Sequence, residues 1–165
     1  MERSIDTNNG DLMCVRSQWS GSLHWGSWES CPAVIKTGVS AFDLVEDKVN
    51  SRLVLVARDA AGVTAWKWGE SDNAFQLLSS YTDTNGSARI TVHEVTGEIM
   101  VAYRKIDKNL FYRTLSVNGT WSQEIGPIGN ADSIFFPKTS DGNRLPILFQ
   151  NGRAGRYSEL DWTPQ

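Results

Sequence analysis

Polar side chains recur where four short apolar runs of the sequence end. In register these residues are Ser17, Arg58, Arg104 and Gln150. Arginine forks bind carboxylate or phosphate groups through two hydrogen bonds, and amides suit hydroxyl groups. The residue types therefore fit a small polar ligand, such as a glycan or an acidic sugar.

Residues beside these strand ends extend the same chemistry, and one of them is a tryptophan whose ring could pack on a sugar. The predicted ligand-binding set is Arg16, Trp19, Arg58, Asp59, Arg104, Asp107, Gln150 and Arg153. Turns predicted at the same face add Asp83, Asn85 and Asp132. A second interpretation stays open, because a polar strand end is normally solvated and an exposed Arg–Asp pair contributes little to stability.

The motifs assign no reaction to the chain. HExxH, GxSxG, P-loop and GxGxxG patterns are absent from the sequence. The two histidines, His24 and His93, fall in different predicted strands, where each is interpreted as a strand residue rather than a ligand or base. Cys14 and Cys31 form no CxxC pair. We therefore predict no catalytic residue, no metal site and no cofactor.

Composition excludes some classes of partner. The net charge is −3 and the pI is about 5.4, so the chain has no general attraction to nucleic acid or acidic lipid. No apolar run approaches the roughly 20 residues of a membrane span, and no secretion signal is visible at the start. We expect neither a nucleic-acid nor a membrane partner and, by default, a cytoplasmic location.

The apolar runs belong to an internal repeat. Their first residues are 41, 46 and 46 positions apart, and they cover residues 12–15, 53–56, 99–102 and 145–148. A turn with Gly or Asn precedes each run, as tight hairpins require. A second strand follows at a fixed distance and carries Trp25, Trp66 and Tyr112 in register, with Tyr157 one place early.

Two further strands are predicted in each of the first three repeats and one in the fourth, and we label the four strands A, B, C and D in chain order. The apolar run is strand B. Strand A is predicted at 3–7, 41–45, 88–94 and 133–136, and strand D at 33–36, 75–79 and 123–125. We predict an all-β chain of four tandem four-stranded antiparallel units of about 45 residues, with a last unit that lacks strand D. The units span about 1–40, 41–86, 87–132 and 133–165 of a single domain, 1–165.

The continuous apolar B strands predict that each sheet is covered on both faces. Radial stacking of blades in a β-propeller provides such cover, and so does a β-sandwich with internal duplication, which stays the alternative. Pro146 lies inside the fourth B run and cannot donate to a ladder, so it predicts a bulge or an open edge.

The layout of turn, apolar strand, short turn and aromatic strand resembles the sialidase-type, BNR-repeat propellers and, more loosely, the propeller lectins. Residues 96–104 followed by 110–112 are its clearest instance. Ser-Val-Asn-Gly-Thr-Trp at 116–121 is similar to the Asp-box Ser-x-Asp-x-Gly-x-Thr-Trp, with Asn for Asp and a shorter spacing. The resemblance implies that ligands bind at the face of the B–C turns. Asp-boxes are structural turns and do not by themselves imply sialidase chemistry.

Three functions remain after this reading. The first is a non-enzymatic module that binds a glycan or acidic sugar on the B–C face. The second is an assembly module in which the open edge of the incomplete fourth unit pairs with another chain, giving a homo-oligomer. The third is a sialidase-like glycosidase or a fragment of one. Arg58, Arg104 and Arg153 could imitate its arginine cluster, but we expect no Tyr–Glu pair for its nucleophile.

Overall fold

The chain forms an all-β structure, as predicted. The computed structural model describes residues 2–8, 10–17, 29–69, 72, 74–82, 88–135 and 137–162, with the backbone alone at 2–8, 13–17 and 29–34. None of these residues lies in a helix that could cross a membrane. The strands are β1 Glu2–Asn8, β2 Asp11–Ser17, β3 Glu29–Lys36, β4 Ala41–Asp47, β5 Arg52–Asp59, β6 Gly62–Gly69, β7 Gln76–Tyr81, β8 Ala88–His93, β9 Ile99–Arg104, β10 Leu110–Leu115, β11 Ser133–Phe135, β12 Thr139–Ser140, β13 Arg144–Asn151 and β14 Ala154–Asp161.

The strands form four sheets that follow the predicted repeat. Their orders are β1-β2-β3, β4-β5-β6-β7, β10-β9-β8-β12 and β11-β13-β14, and we call these sheets units 1 to 4. Unit 2 contains all four predicted strands in order. Unit 4 lacks an outer strand after β14 among the described residues, as the sequence predicted.

Apolar side chains join neighbouring units face to face. In β5, Leu55 and Ala57 pack with Leu12 of unit 1, whereas Val54 and Val56 join a cluster that contains β8 and β9 of unit 3. The middle strand of unit 2 is therefore buried on both faces, because alternate side chains point to opposite neighbours. The same holds for β9, whose first five residues are all buried.

Unit 4 departs from this pattern. Along β13 burial alternates: Leu145, Ile147 and Phe149 are buried against unit 3, whereas Pro146 and Leu148 are exposed. The expectation of cover on both faces is therefore wrong for this unit. Pro146 lies outside the three residue pairs that β13 makes with β11, and the β13–β14 register has no shift. The predicted bulge is therefore not seen against β14, and Pro146 lies in the middle strand of its sheet, beyond the last pair with β11.

The predicted D strand of unit 3 is wrong. Residues 121–130 form no regular strand, and their β-pairing with β10 and the turn before it consists of isolated bridges, such as Tyr112 with Ile125. Pro127 has no N–H to donate, and Gly126 and Gly129 adopt φ of 141° and 154°, so a continuous ladder cannot form there. The fourth strand of this sheet is instead β12, which pairs with β8 in parallel, so the unit is not wholly antiparallel.

Unit 1 also differs from the prediction. β3 contains the residues predicted as strand D, yet it pairs directly with β2, from Lys36 opposite Leu12. It therefore takes the third position in its sheet. The C strand predicted around Leu23 and Trp25 lies outside the described residues.

The repeated aromatic residues do not share one register. Trp66 lies opposite Leu55 and packs toward unit 1, whereas Tyr112 lies opposite Ala102 and packs toward unit 4. Two residues separate β5 from β6 and five separate β9 from β10. A one-residue change in hairpin register moves a side chain to the other face of its sheet, which explains the difference.

Candidate functional site

Six of the predicted ligand-binding residues lie at the described B–C ends of units 2 to 4, and three of them bind within their own turns. Arg58 ends β5, and its Nη1 donates to Ser40 Oγ at 3.0 Å. Asp59 accepts from two backbone N–H groups of its turn, at 2.8 and 3.1 Å, and forms an ion pair with Lys36 at 2.8 Å. The hydrogen bond from Lys36 is the main cause that lowers the pKa of Asp59. Asp59 therefore links its turn to unit 1.

Asp107 and Gln150 are engaged in the same local way. The carboxylate of Asp107 accepts from the backbone N–H of Asn109 at 3.0 Å, and Nε2 of Gln150 donates to the carbonyl of Gly152 at 2.8 Å. Both side chains are exposed. Such bonds stabilise the turns and leave few groups directed at a ligand.

On the face predicted to bind a ligand, groups from units 3 and 4 meet around Asp132. Arg104 Nη1 donates to its carbonyl at 3.2 Å, Lys108 forms an ion pair with Oδ1 at 2.8 Å, and the Gly152 N–H donates to Oδ2 at 2.7 Å. The hydrogen bond from Lys108 lowers the pKa of Asp132 most. Asp132 thus connects the B–C turns of units 3 and 4.

The remaining predicted residues are not joined to this group. Arg153 is exposed in the turn between β13 and β14, and Arg16 lies in β2 with its backbone opposite Arg3 and Glu29. Trp19, Asp83 and Asn85 lie outside the described residues.

A second group of side chains, which sequence reasoning missed, lies between units 2 and 3. We call it the inter-unit cluster. Its members come from β7, β9, β10 and the segments after β9 and β10: Tyr81, Tyr103, Lys105, Phe111, Arg113, Trp121 and Glu124. Lys105 belongs to the B–C turn of unit 3 and Tyr81 ends a D strand, so the cluster reaches the face predicted for ligands.

A hydrogen-bonded chain runs through the inter-unit cluster. The Tyr103 hydroxyl donates to Glu124 Oε2 at 2.5 Å, and Arg113 Nε donates to the same hydroxyl at 3.2 Å. Lys105 Nζ lies 2.6 Å from Glu124 Oε1. Arg113 Nη1 also donates to the carbonyl of Ser122 at 2.9 Å, which fixes the guanidinium plane.

Aromatic rings form one side of the cluster. The Tyr81 ring lies 4.7 Å from Trp121 in an edge-to-face arrangement and 5.5 Å from Tyr103. The guanidinium carbon of Arg113 lies 5.0 Å from the centre of the Tyr81 ring, and Lys105 Nζ lies 4.1 Å from that of Phe111. Tyr81 and Trp121 are only partly buried, so ring surface remains available beside the charged groups.

The protonation states follow from these contacts. Burial by itself would raise the pKa of Glu124, but hydrogen bonds from Lys105 and Tyr103, with the charges of Lys105 and Arg113, outweigh it and lower that pKa. Burial, followed by the bond to Glu124, raises the pKa of Tyr103. At neutral pH the carboxylate is therefore ionised and the phenol keeps its proton.

The expectation that the chain holds no Tyr–Glu pair is wrong, because Tyr103 and Glu124 form one. Its electrostatics oppose a nucleophilic role, however. A tyrosine nucleophile must lose its proton to the neighbouring carboxylate. Here the tyrosine holds its proton more firmly than usual and the carboxylate accepts one less readily.

The described residues contain no group of three or more His, Cys, Asp or Glu side chains placed to hold a metal ion. The sequence offered one sign of the inter-unit cluster, the charged pair Arg113 and Glu124, which are eleven residues apart. Arg113 lies opposite the third residue of its apolar run. The residue at the same position in unit 2 is the buried Trp66.

The fold of this chain is similar to that of a β-propeller lectin. No family model and no curated protein matches the sequence. A solved structure of a mutant Aleuria aurantia lectin in complex with Fucα1-6GlcNAc matches with a TM-score of 0.55 and 16% identity, covering 98% of this chain and 57% of the lectin. A second, in complex with α-methyl-L-fucoside, matches with a TM-score of 0.52 and 16% identity, covering 94% and 54%. The chain thus spans little more than half of these lectins.

Proposed function

We propose that the chain is a non-enzymatic glycan-binding module whose site is the inter-unit cluster. The observation that carries the proposal is the pairing of a fixed Arg113 and an ionised Glu124 with the rings of Tyr81 and Trp121. Charged hydrogen-bond partners hold sugar hydroxyls, and a ring covers the apolar face of the sugar. A site for a small ligand typically combines aromatic side chains with a small number of polar groups that point to the same place.

The charges of the cluster define the class of sugar. Lys105 and Arg113 carry two positive charges against the single negative charge of Glu124. The ionised carboxylate accepts hydrogen bonds from neutral hydroxyls, whereas the cations favour a carboxylated sugar. The lectins with this fold were solved with fucosides, so we expect a neutral deoxy sugar to bind and an acidic sugar to be the alternative ligand.

The test measures binding by isothermal titration calorimetry with α-methyl-L-fucoside, Fucα1-6GlcNAc and a sialic acid glycoside. Glu124→Gln keeps the size of the side chain and removes its charge. Hydrogen bonds to charged groups contribute about 1.5–3 kcal/mol, so we expect affinity to fall roughly 10- to 100-fold. Glu46→Gln, at an exposed position of β4, is the matched control and keeps wild-type affinity.

The predicted strand-end residues are a second proposed location on the same chain. Asp107→Ala and Arg153→Ala change exposed groups of that face without touching the inter-unit cluster. Affinity that falls in these variants and is retained in Glu124→Gln would place the site at the strand ends. A chain that binds none of the three sugars, while a broad glycan array also gives no signal, contradicts the glycan-binding proposal.

A second candidate function is assembly through the open edge of unit 4. β14 pairs with β13 alone among the described strands, so its other side forms an open edge of the sheet. An added strand from another chain would pair with this edge. The sialidase-type resemblance remains a prediction, and an assay with a fluorogenic sialoside tests the activity that it implies. The division into one domain of four units also remains a prediction.

A further inference from the structure

We propose that the outward face of unit 4 packs against a second copy of this chain. This face carries Phe135, Leu148 and Tyr157, which lie in one row across β11, β13 and β14. They are 55%, 55% and 60% exposed. Three adjacent large apolar side chains, each more than half exposed, form a patch of the kind that marks interaction sites.

The same row is covered in the other units. In unit 2 it contains Val56 and Ala65, and in unit 3 it contains Ala102 and Tyr112. These residues are 0–6% exposed because the next unit packs on them. The open face of unit 4 therefore continues an interface that the chain already forms twice, and its natural occupant is another sheet of this type.

A polar rim borders the apolar row. The Tyr157 hydroxyl donates to Glu159 at 2.6 Å, and Arg144 lies 3.3 Å from the same carboxylate. An apolar centre with a paired polar border is the usual anatomy of a protein–protein interface.

Each internal interface joins the outward face of one unit to an apolar face of the next unit, such as the face of Leu145 and Ile147 in unit 4. In unit 1 the first residue of the apolar run, Leu12, already packs against unit 2. We therefore take a sheet of a second copy as the occupant, and a mixing experiment decides which of its sheets makes the contact.

The first experiment measures solution mass by light scattering over a dilution series. We expect the wild-type chain to exceed its monomer mass of 18.4 kDa and to dissociate on dilution. Leu148→Lys and Tyr157→Lys place a charge in the row and should weaken association at least tenfold. Leu77→Lys changes a leucine that is 66% exposed on β7 and should behave as wild type.

Unchanged thermal midpoints at the lowest concentration show that these variants fold. A wild-type chain that stays monomeric at the highest concentration overturns the proposal. So does an association that persists in Leu148→Lys and Tyr157→Lys, since the contact would then lie elsewhere, for instance at the β14 edge.

A mixing experiment decides between two arrangements of the copies. A tagged chain that carries both Leu148→Lys and Tyr157→Lys has lost only its own unit 4 face. If it binds untagged wild-type chain, unit 4 packs on a different sheet of the second copy in a head-to-tail contact. If it is excluded from wild-type oligomers, two unit 4 faces meet each other.

Discussion

Glu124 is the residue on which the charge balance of the inter-unit cluster depends. Its two carboxylate oxygens accept from Lys105 and Tyr103, and Arg113 adds a second cation nearby. Removing the negative charge leaves two cations facing one another across a partly buried site. Because these contacts lower its pKa, they are strongest when the carboxylate is ionised.

A pH dependence follows from that lowered pKa. The ordinary pKa of glutamate is 4.5, and the folded-state value lies below it. The stabilising contribution of Glu124 is therefore fully present above about pH 4.5 and is lost as the pH falls through the folded-state value. We expect the difference in thermal midpoint between wild type and Glu124→Gln to be constant from pH 7 to about 5 and to shrink in stronger acid. A difference that stays the same in strong acid contradicts this assignment.

At the scale of one element, β13 shows how position decides what a side chain contributes. Ile147 is fully buried against unit 3, whereas its neighbour Leu148 is 55% exposed on the opposite face. The two residues have the same size and share one strand, so burial is what separates them.

We expect Ile147→Ala to lower the free energy of unfolding by about 2–5 kcal/mol, because it leaves a cavity in the apolar cluster. Leu148→Ala should change it by less than about 1 kcal/mol when measured at a concentration where the chain is monomeric. Urea denaturation of both variants provides the comparison. Equal losses would mean that the outward face of unit 4 is covered within the chain.

The same scale shows how far the sequence predicts the fold. The apolar runs identify β5, β9 and β13 correctly, because four consecutive apolar residues bounded by turns are a clear strand signal. Burial on both sides could not be predicted for β13, since it depends on whether another sheet follows. The prediction of a D strand in unit 3 failed because Gly126 and Pro127 interrupt a segment whose composition otherwise suits a strand.

The candidate site was less accessible to sequence reasoning than the strands. Strand-end polar residues were found by register, yet Asp59 and Asp107 serve their own turns. The inter-unit cluster combines Tyr81 of one unit with Arg113 and Glu124 of the next. Such a site depends on how two sheets stack, and no periodicity within one sheet reveals it.

At the scale of the whole molecule, the described units are linked by more than apolar packing. Asp43 of β4 accepts a hydrogen bond from the Ile90 N–H of β8 at 3.1 Å and forms an ion pair with Lys138, which follows β11. Buried Trp162, at the end of the described chain, donates to Glu98 of unit 3 at 2.8 Å. These bonds and the shared apolar clusters couple units 2, 3 and 4.

We therefore expect units 2 to 4 to unfold in one cooperative transition. Stacked repeats lose cooperativity only when the interfaces between neighbours are weak. Urea curves followed by tryptophan fluorescence and by far-ultraviolet circular dichroism should coincide. Two resolved transitions would show that a unit melts independently of its neighbours.

The unequal lengths of the B–C turns bear on how a duplicated gene can diversify. Opposite the third residue of the B run stand Trp66 in unit 2, Arg113 in unit 3 and Ser158 in unit 4. A single codon gained or lost in a surface turn changes which face each residue of the next strand occupies. Insertions and deletions in these turns can therefore create or abolish a charged cluster between two units during evolution, while every strand residue stays the same.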